Sequence, residues 1–249
     1  MSAAQPTLSR PLPCMSMLPA FDAVLFDLDG LVLDTESTYL HAWRRAAAEF
    51  ETVLSDDVGH ALFGRHADGV MQALQVLIGP RFERSRFEAA ASKYWHEYLD
   101  SHGIALMPGV TRLLEQLTQR RIPYALATNS DARYAELCLM RAGIDAWFRV
   151  RVSRDQVRAG KPEPDLFLEA ARRLAVPSGR CLALEDSLTG LTAACRAGTL
   201  PVLVQARPVA VEALEMAIAH FRTLDQVADA IESTQLSTDP QCPYHSQVT

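Results

Sequence analysis

Short apolar runs alternate with amphipathic stretches along most of this chain. Ala23-Val24-Leu25-Phe26 has the length and continuity of a strand buried on both faces of a parallel sheet. Similar runs cover Tyr124 to Ala127, Cys181 to Leu184 and Pro201 to Val204. A weaker one spans Phe148 to Val152, where Arg149 and Arg151 alternate with apolar positions. Between them the period lengthens: Val110 to Arg120, Arg133 to Ala142, Leu166 to Leu174 and Leu188 to Ala197 read as helices. Leu113, Leu114 and Leu117 share one helical face. Strand alternating with helix predicts right-handed βαβ units around a parallel sheet, an α/β fold.

One interval breaks the alternation. Between the first run and the second, Tyr39 to Phe50, Ala67 to Leu77 and Phe87 to Leu99 all have helical period. That is far more chain than one crossover helix needs. The pattern predicts a helical domain over residues 35–105, inserted into an α/β core formed by residues 20–34 and 106–233. The proline-rich stretch 1–19 and the polar stretch 234–249 are expected to be loose tails, with the natural start expected near Met15 or Met17. Trp43, Trp95 and Trp147 are expected on the core faces of helices.

Composition changes this picture only at the edges. About half the residues are hydrophobic, enough for a substantial core, and the formal net charge is −6. An acidic chain without clustered Lys and Arg is a poor general binder of nucleic acid or membrane surfaces. No stretch reaches the ~20 apolar residues of a membrane span, and residues 1–19 lack the ~7–15-residue apolar run of a signal peptide. Cys14, Cys138, Cys181, Cys195 and Cys242 are odd in number and irregularly spaced. Buried free thiols in a reducing, cytoplasmic setting are expected, Cys14 and Cys242 being the one pair considered for a disulfide. The histidines form no His-Glu-x-x-His zinc pattern, because His96-Glu97 is followed only by His102. The sequence does not indicate an oligomeric state.

In open α/β sheets ligands gather at the carboxyl ends of the strands. Asp27-Leu28-Asp29-Gly30 follows the first run, Thr128-Asn129-Ser130 the second and Glu185-Asp186-Ser187 the fourth, while Lys161 lies in the loop after the third. Asp27, Asp29, Glu185 and Asp186 would repel one another at close range. A hard divalent cation with oxygen ligands, of which Mg²⁺ is the best fit, would offset that charge together with Lys161. Any one of these clusters alone reads equally as surface carboxylates at a loop end.

Phe26-Asp27-Leu28-Asp29-Gly30 followed by Asp34-Thr35-Glu36 resembles the opening motif of the haloacid dehalogenase-like hydrolase superfamily. Thr128-Asn129-Ser130, Lys161 before Pro162-Glu163-Pro164-Asp165, and Glu185-Asp186-Ser187 with Gly190 resemble its other three motifs, in order. The helical insert matches the cap domain of the phosphoglucomutase-like branch, on a Rossmann-like core. The resemblance implies a Mg²⁺-dependent phosphatase acting on small phosphorylated metabolites. Asp27 would form an aspartyl phosphate and Asp29 would act as general acid and base. Thr128 and the backbone amide of Asn129 would hold phosphate oxygens, and Lys161 would offset charge. Mg²⁺ would bind Asp27, the backbone carbonyl of Asp29 and Asp186, with Glu185 in or beside that shell. Arg65 and His66, in the cap turn Leu62-Phe63-Gly64-Arg65-His66, would meet the far end of the substrate, although an ordinary solvated turn fits them equally.

The rival readings are weaker. Mutases of this branch carry His five residues after Asp34, where this chain has Tyr39, with His41 two positions on. Their cap Arg and Lys fall at Ala67 and near Tyr94, beside Lys93. A dehalogenase has no use for Asp29, because a halide leaves without a proton. A non-catalytic phospho-ligand-binding regulator would have no need to keep Asp27, Asp29 and Lys161 together.

Overall fold

A computed structural model describes residues 18–62 and 67–233. Its centre is a six-stranded, all-parallel sheet in the order β3-β2-β1-β4-β5-β6. The strands are β1 (Ala23–Phe26), β2 (Tyr124–Ala127), β3 (Arg151–Val152), β4 (Cys181–Glu185), β5 (Leu200–Val204) and β6 (Ala219–Phe221). The chain builds outward from β1 to β3 on one side and from β4 to β6 on the other, so β1 and β4 flank the point where strand order reverses.

The continuous apolar runs follow from burial on both faces. In β1, Val24 and Phe26 enter one core cluster while Ala23 and Leu25 enter the cluster on the opposite face. In β4, Leu182 and Leu184 join the first and Cys181 and Ala183 the second. Phe26 pairs with Leu184 in register. The next residues, Asp27 and Glu185, therefore share the face of Ala23, Leu25, Cys181 and Ala183.

Helices α5 (Val110–Gln119), α6 (Ala132–Arg141), α7 (Asp165–Arg173), α8 (Leu188–Arg196), α9 (Val211–Met216) and α10 (Leu224–Ser233) cover the sheet. Val110, Leu113, Leu114 and Leu117 make the buried stripe of α5, each worth about 1.5–3 kcal/mol of transfer free energy. Helices α1 (Thr35–Ala48), α2 (Asp56–His60), α3 (Ala67–Ile78) and α4 (Arg84–His102) lie between β1 and β2, and α1, α3 and α4 contribute to an apolar cluster around Phe50, Leu74 and Phe87. The exit from the core and the return to it run side by side. Leu33 bridges Leu106 in antiparallel fashion, Asp34 N–H donates to the Ala105 carbonyl at 2.9 Å, and Met107 N–H donates to that of Val32 at 3.0 Å. Among the described residues no helix is long and apolar enough to cross a membrane.

Several expectations need correction. Leu18 is buried in the main core cluster, so the region expected to be a loose tail through residue 19 is already packed there. The strand expected over Phe148 to Val152 shrinks to β3, because Phe148 turns into the core and packs edge-on against Phe26 at 5.6 Å. Trp147 lies in a turn and is half-buried, not on a helix. Cys138 and Cys181 are buried free thiols as expected, but Cys195 is exposed on α8. Cys14, Cys242 and the remaining tail residues lie outside the described residues.

Candidate active site

Asp27 is the first residue past β1, and its N–H donates to the Leu184 carbonyl at 3.2 Å, which fixes the turn against β4. Its carboxylate is almost fully buried and pairs with Lys161 Nζ. The same ammonium lies 2.6 Å from Glu185 Oε1 and 4.9 Å from the centre of the Phe167 ring. Lys161 thus reaches the sheet face shared by Asp27 and Glu185. Its charge outweighs its own desolvation: burial pulls the ammonium down, but Asp27 and then Glu185 hold it above its usual range.

The loop carrying Lys161 is clamped. Lys161 N–H donates to Asn129 Oδ1 at 2.7 Å, and Asn129 Nδ2 donates to the Lys161 carbonyl at 3.1 Å. The Asn129 side chain therefore serves the protein backbone, and its backbone amide is the group left to meet a substrate. Thr128 is buried at the end of β2. Its Oγ1 accepts from Ser130 N–H at 3.0 Å, which leaves the hydroxyl proton available to an oxyanion.

Asp29 faces a different set of donors. Ser130 Oγ donates to Asp29 Oδ2 at 2.8 Å, and Tyr134 Oη donates to Oδ1 at 3.0 Å. Burial raises its pKa, the Asp27 charge raises it further, and the hydroxyl donors oppose both. Ser130 and Tyr134 were missed as site residues. Tyr134 sits on the first turn of α6, which Asp131 caps by accepting from Tyr134 N–H at 2.9 Å, and no local pattern links it to Asp29.

Asp186 and Glu185 complete the floor. Gly30, at φ +82°, allows the loop after β1 to pass Asp186: a Cβ there would sit 2.4 Å from Asp186 Oδ2. Ser187 caps α8 by accepting from Gly190 N–H at 3.1 Å and donates to Glu185 Oε2 at 3.2 Å. A Cβ on Gly190 would meet the Glu185 carboxyl at 1.9 Å, so only glycine fits. Burial first, then the charges of Asp27 and Glu185, push the Asp186 carboxyl well up. Burial also raises Glu185, to about 7, against the pull of Lys161. Asp27, Glu185 and Asp186 each offer an oxygen within 4.8 Å of the others. Three oxygen donors facing one ammonium suit a hard divalent cation. The Asp29 carboxylate lies outside that trio.

Asp27, Asp29, Thr128, Asn129, Lys161 and Asp186 line a cavity of about 890 Å³ whose opposite wall comes from the insert and α6, with Tyr39, Trp43, Leu62, Met71, Trp95 and Tyr134 on it. Trp95 is buried as expected, whereas Trp43 is half-buried and faces the cavity. Arg65 and His66 lie outside the described residues.

The family model for haloacid dehalogenase-like hydrolase matches residues 21–198. The chain belongs to that family. A phosphorylated carbohydrates phosphatase of Thermotoga maritima is 33% identical over 181 residues, covering 71% of this chain and 82% of the relative. A beta-phosphoglucomutase of Bacillus subtilis is 31% identical over 196 residues, covering 75% of this chain and 85% of that protein. The haloacid dehalogenase-like fold recurs in the crystal structure of a hydrolase of this family from Deinococcus radiodurans R1 with bound phosphate and sodium. Its TM-score is 0.74 at 26% identity, covering 86% of this chain and 96% of the other.

Proposed function

We propose that this protein is a Mg²⁺-dependent phosphoric monoester hydrolase acting on small phosphorylated metabolites, sugar phosphates among them, through an aspartyl phosphate on Asp27. The observation that carries the reading is the buried Asp27–Lys161–Glu185 group with Asp29 held separately by Ser130 and Tyr134. Nucleophile and proton carrier thus sit two residues apart in distinct electrostatic settings.

A carboxylate oxygen of Asp27 attacks phosphorus, and the bond from phosphorus to the ester oxygen breaks. The leaving oxygen takes the proton of Asp29, whose raised pKa suits it to carry one. Water then attacks the acyl phosphate, its proton passes to Asp29, and the bond from phosphorus to Asp27 breaks to release phosphate. The Thr128 hydroxyl, the Asn129 amide and Lys161 meet the negative oxygens in both steps. Asp27, the Asp29 carbonyl and Asp186, with Glu185 beside them, would hold Mg²⁺, which when bound supplies positive charge to the phosphoryl oxygens.

The relatives include a mutase, but the described cap residues give a second phosphate little to hold. Tyr94 donates to Glu49 at 2.7 Å, and Lys93 lies 3.9 Å from Glu97, away from the cavity lining. Incubation with β-glucose 1-phosphate should yield free phosphate and glucose, not glucose 6-phosphate. Asp27→Asn should cut phosphate release from a panel of monoesters at least about a hundredfold while leaving the melting temperature near wild type. Turnover above a hundredth of wild type would remove Asp27 from its role.

A further inference from the structure

Of the wall opposite the carboxylates, phosphoryl transfer uses only Tyr134, through its bond to Asp29. Tyr39 on α1, Trp95 on α4 and Tyr134 on α6 are mutually near-parallel. Their ring centres lie 5.5 Å apart for Tyr39–Trp95, 5.7 Å for Trp95–Tyr134 and 6.3 Å for Tyr39–Tyr134, with tilts of 14°, 15° and 17°. Trp43, one turn further along α1, stacks on Tyr39 at 5.7 Å. All four line the cavity, and Tyr39, Trp43 and Tyr134 are only half-buried, so they are not simply core. Leu62, Val70 and Met71 extend the same apolar lining.

Several polar groups on this side already have partners. Trp95 Nε1 donates to Thr38 Oγ1 at 3.0 Å, Glu88 accepts from Arg84 at 2.8 Å, and His96 Nδ1 meets the Ser92 carbonyl at 2.8 Å. A bare polyol laid against this wall would lose affinity on the order of tenfold for each buried hydroxyl left unpaired. A flat ring forfeits no such bonds and gains offset stacking. Among the described lining residues Lys161 is the only Lys or Arg, and it is already paired with Asp27 and Glu185. The cavity's volume of about 890 Å³ falls in the ~300–1,000 Å³ range of drug-sized ligands.

We propose that the preferred substrate is a monophosphate ester whose leaving group carries a planar, conjugated ring held against Tyr39, Trp43, Trp95 and Tyr134. This rests on the phosphatase reading above. The chemistry is unchanged: the ester oxygen departs with the Asp29 proton, attached to a ring-bearing alcohol.

Ribose 5-phosphate and uridine 5′-monophosphate share a phosphoribosyl unit and differ by the ring. In Mg²⁺, kcat/KM should be at least about tenfold higher for uridine 5′-monophosphate, chiefly through KM. Trp43→Ala should shrink that ratio and Trp43→Phe restore most of it. In Asp27→Asn, tryptophan fluorescence should respond to uridine 5′-monophosphate at lower concentration than to ribose 5-phosphate. Equal or better turnover of ribose 5-phosphate and glucose 6-phosphate overturns the ring preference and leaves the phosphatase reading standing. Absence of turnover on every ester overturns the phosphatase reading, and the ring preference with it.

Discussion

The two walls of the cavity are built by different physics. On the sheet side, Asp27 and Glu185 are set by strand register, and the Lys161 loop by two hydrogen bonds to Asn129. A one-residue slip of β1 would turn Asp27 to the other face and bury Phe26 in the wrong cluster, so backbone pairing enforces the chemistry. On the insert side, Tyr39, Trp43 and Trp95 are positioned by ring stacking along helices, with no register to hold them. Turnover and substrate choice should therefore fail separately, according to which wall is altered.

The sharpest division should come from Asp29. Asp29→Ala should lower turnover of alkyl phosphates by about 10²–10⁴-fold and of p-nitrophenyl phosphate far less, since that leaving group departs without a proton. Equal losses on both would mean that Asp29 acts through structure. Gly190→Ala comes next. Its methyl must displace the Glu185 carboxyl, so kcat should fall by up to about a hundredfold on every substrate with little change in substrate ranking. A shift in ranking instead would break the distinction between the walls.

A smaller effect is expected in stability. Mg²⁺ at a hundredfold excess over its Kd should add about 2.7 kcal/mol, measured as a rise in Tm that a chelator reverses. Without metal, pH should act in an unusual direction. Burial raises the carboxyls of Asp186 and Glu185, the latter to about 7 from an ordinary 4.5. A carboxyl with a raised folded pKa binds its proton more tightly in the folded state. Its contribution is complete below the unfolded value and is lost as pH rises through the folded one. Metal-free protein should therefore melt lower at about pH 7.5 than at about pH 5, and saturating Mg²⁺ should narrow the gap. A Tm that rises across that window would contradict the crowded-carboxylate account.

The sheet wall was legible in the sequence because each of its groups follows an apolar run at a strand end. Asp27 and Thr128 stand one position beyond β1 and β2, Glu185 closes β4, and Asp186 follows it. The donors to Asp29 could not, since Ser130 and Tyr134 lie about a hundred positions away and meet it only through folding. The sequence suggests Asn129 as a site residue through its amide, but nothing in Thr-Asn-Ser foretells that its side chain clamps Lys161. The edges of the sheet were equally opaque. β6 offers only Ala219-His220-Phe221, too short and mixed for a period, and α9 with α10 went unnoticed behind it. The aromatic wall was misjudged for a related reason: Trp43 has the spacing of a core residue, and spacing does not reveal that part of its helix face borders a cavity.

The paired exit and return of the insert resembles a door leaf more than a tether. Sliding the helices across the sheet would have to break the Asp34–Ala105 and Met107–Val32 hydrogen bonds, each worth about 0.5–1.5 kcal/mol. Turning about the line of the Leu33–Leu106 bridge breaks neither. What resists turning about that line is side-chain packing, since Ala42, Trp95 and Leu99 lie in the main core cluster. Such a rotation would carry Tyr39 and Trp95 away from Tyr134, and with them the stacking partners of the residue that holds Asp29.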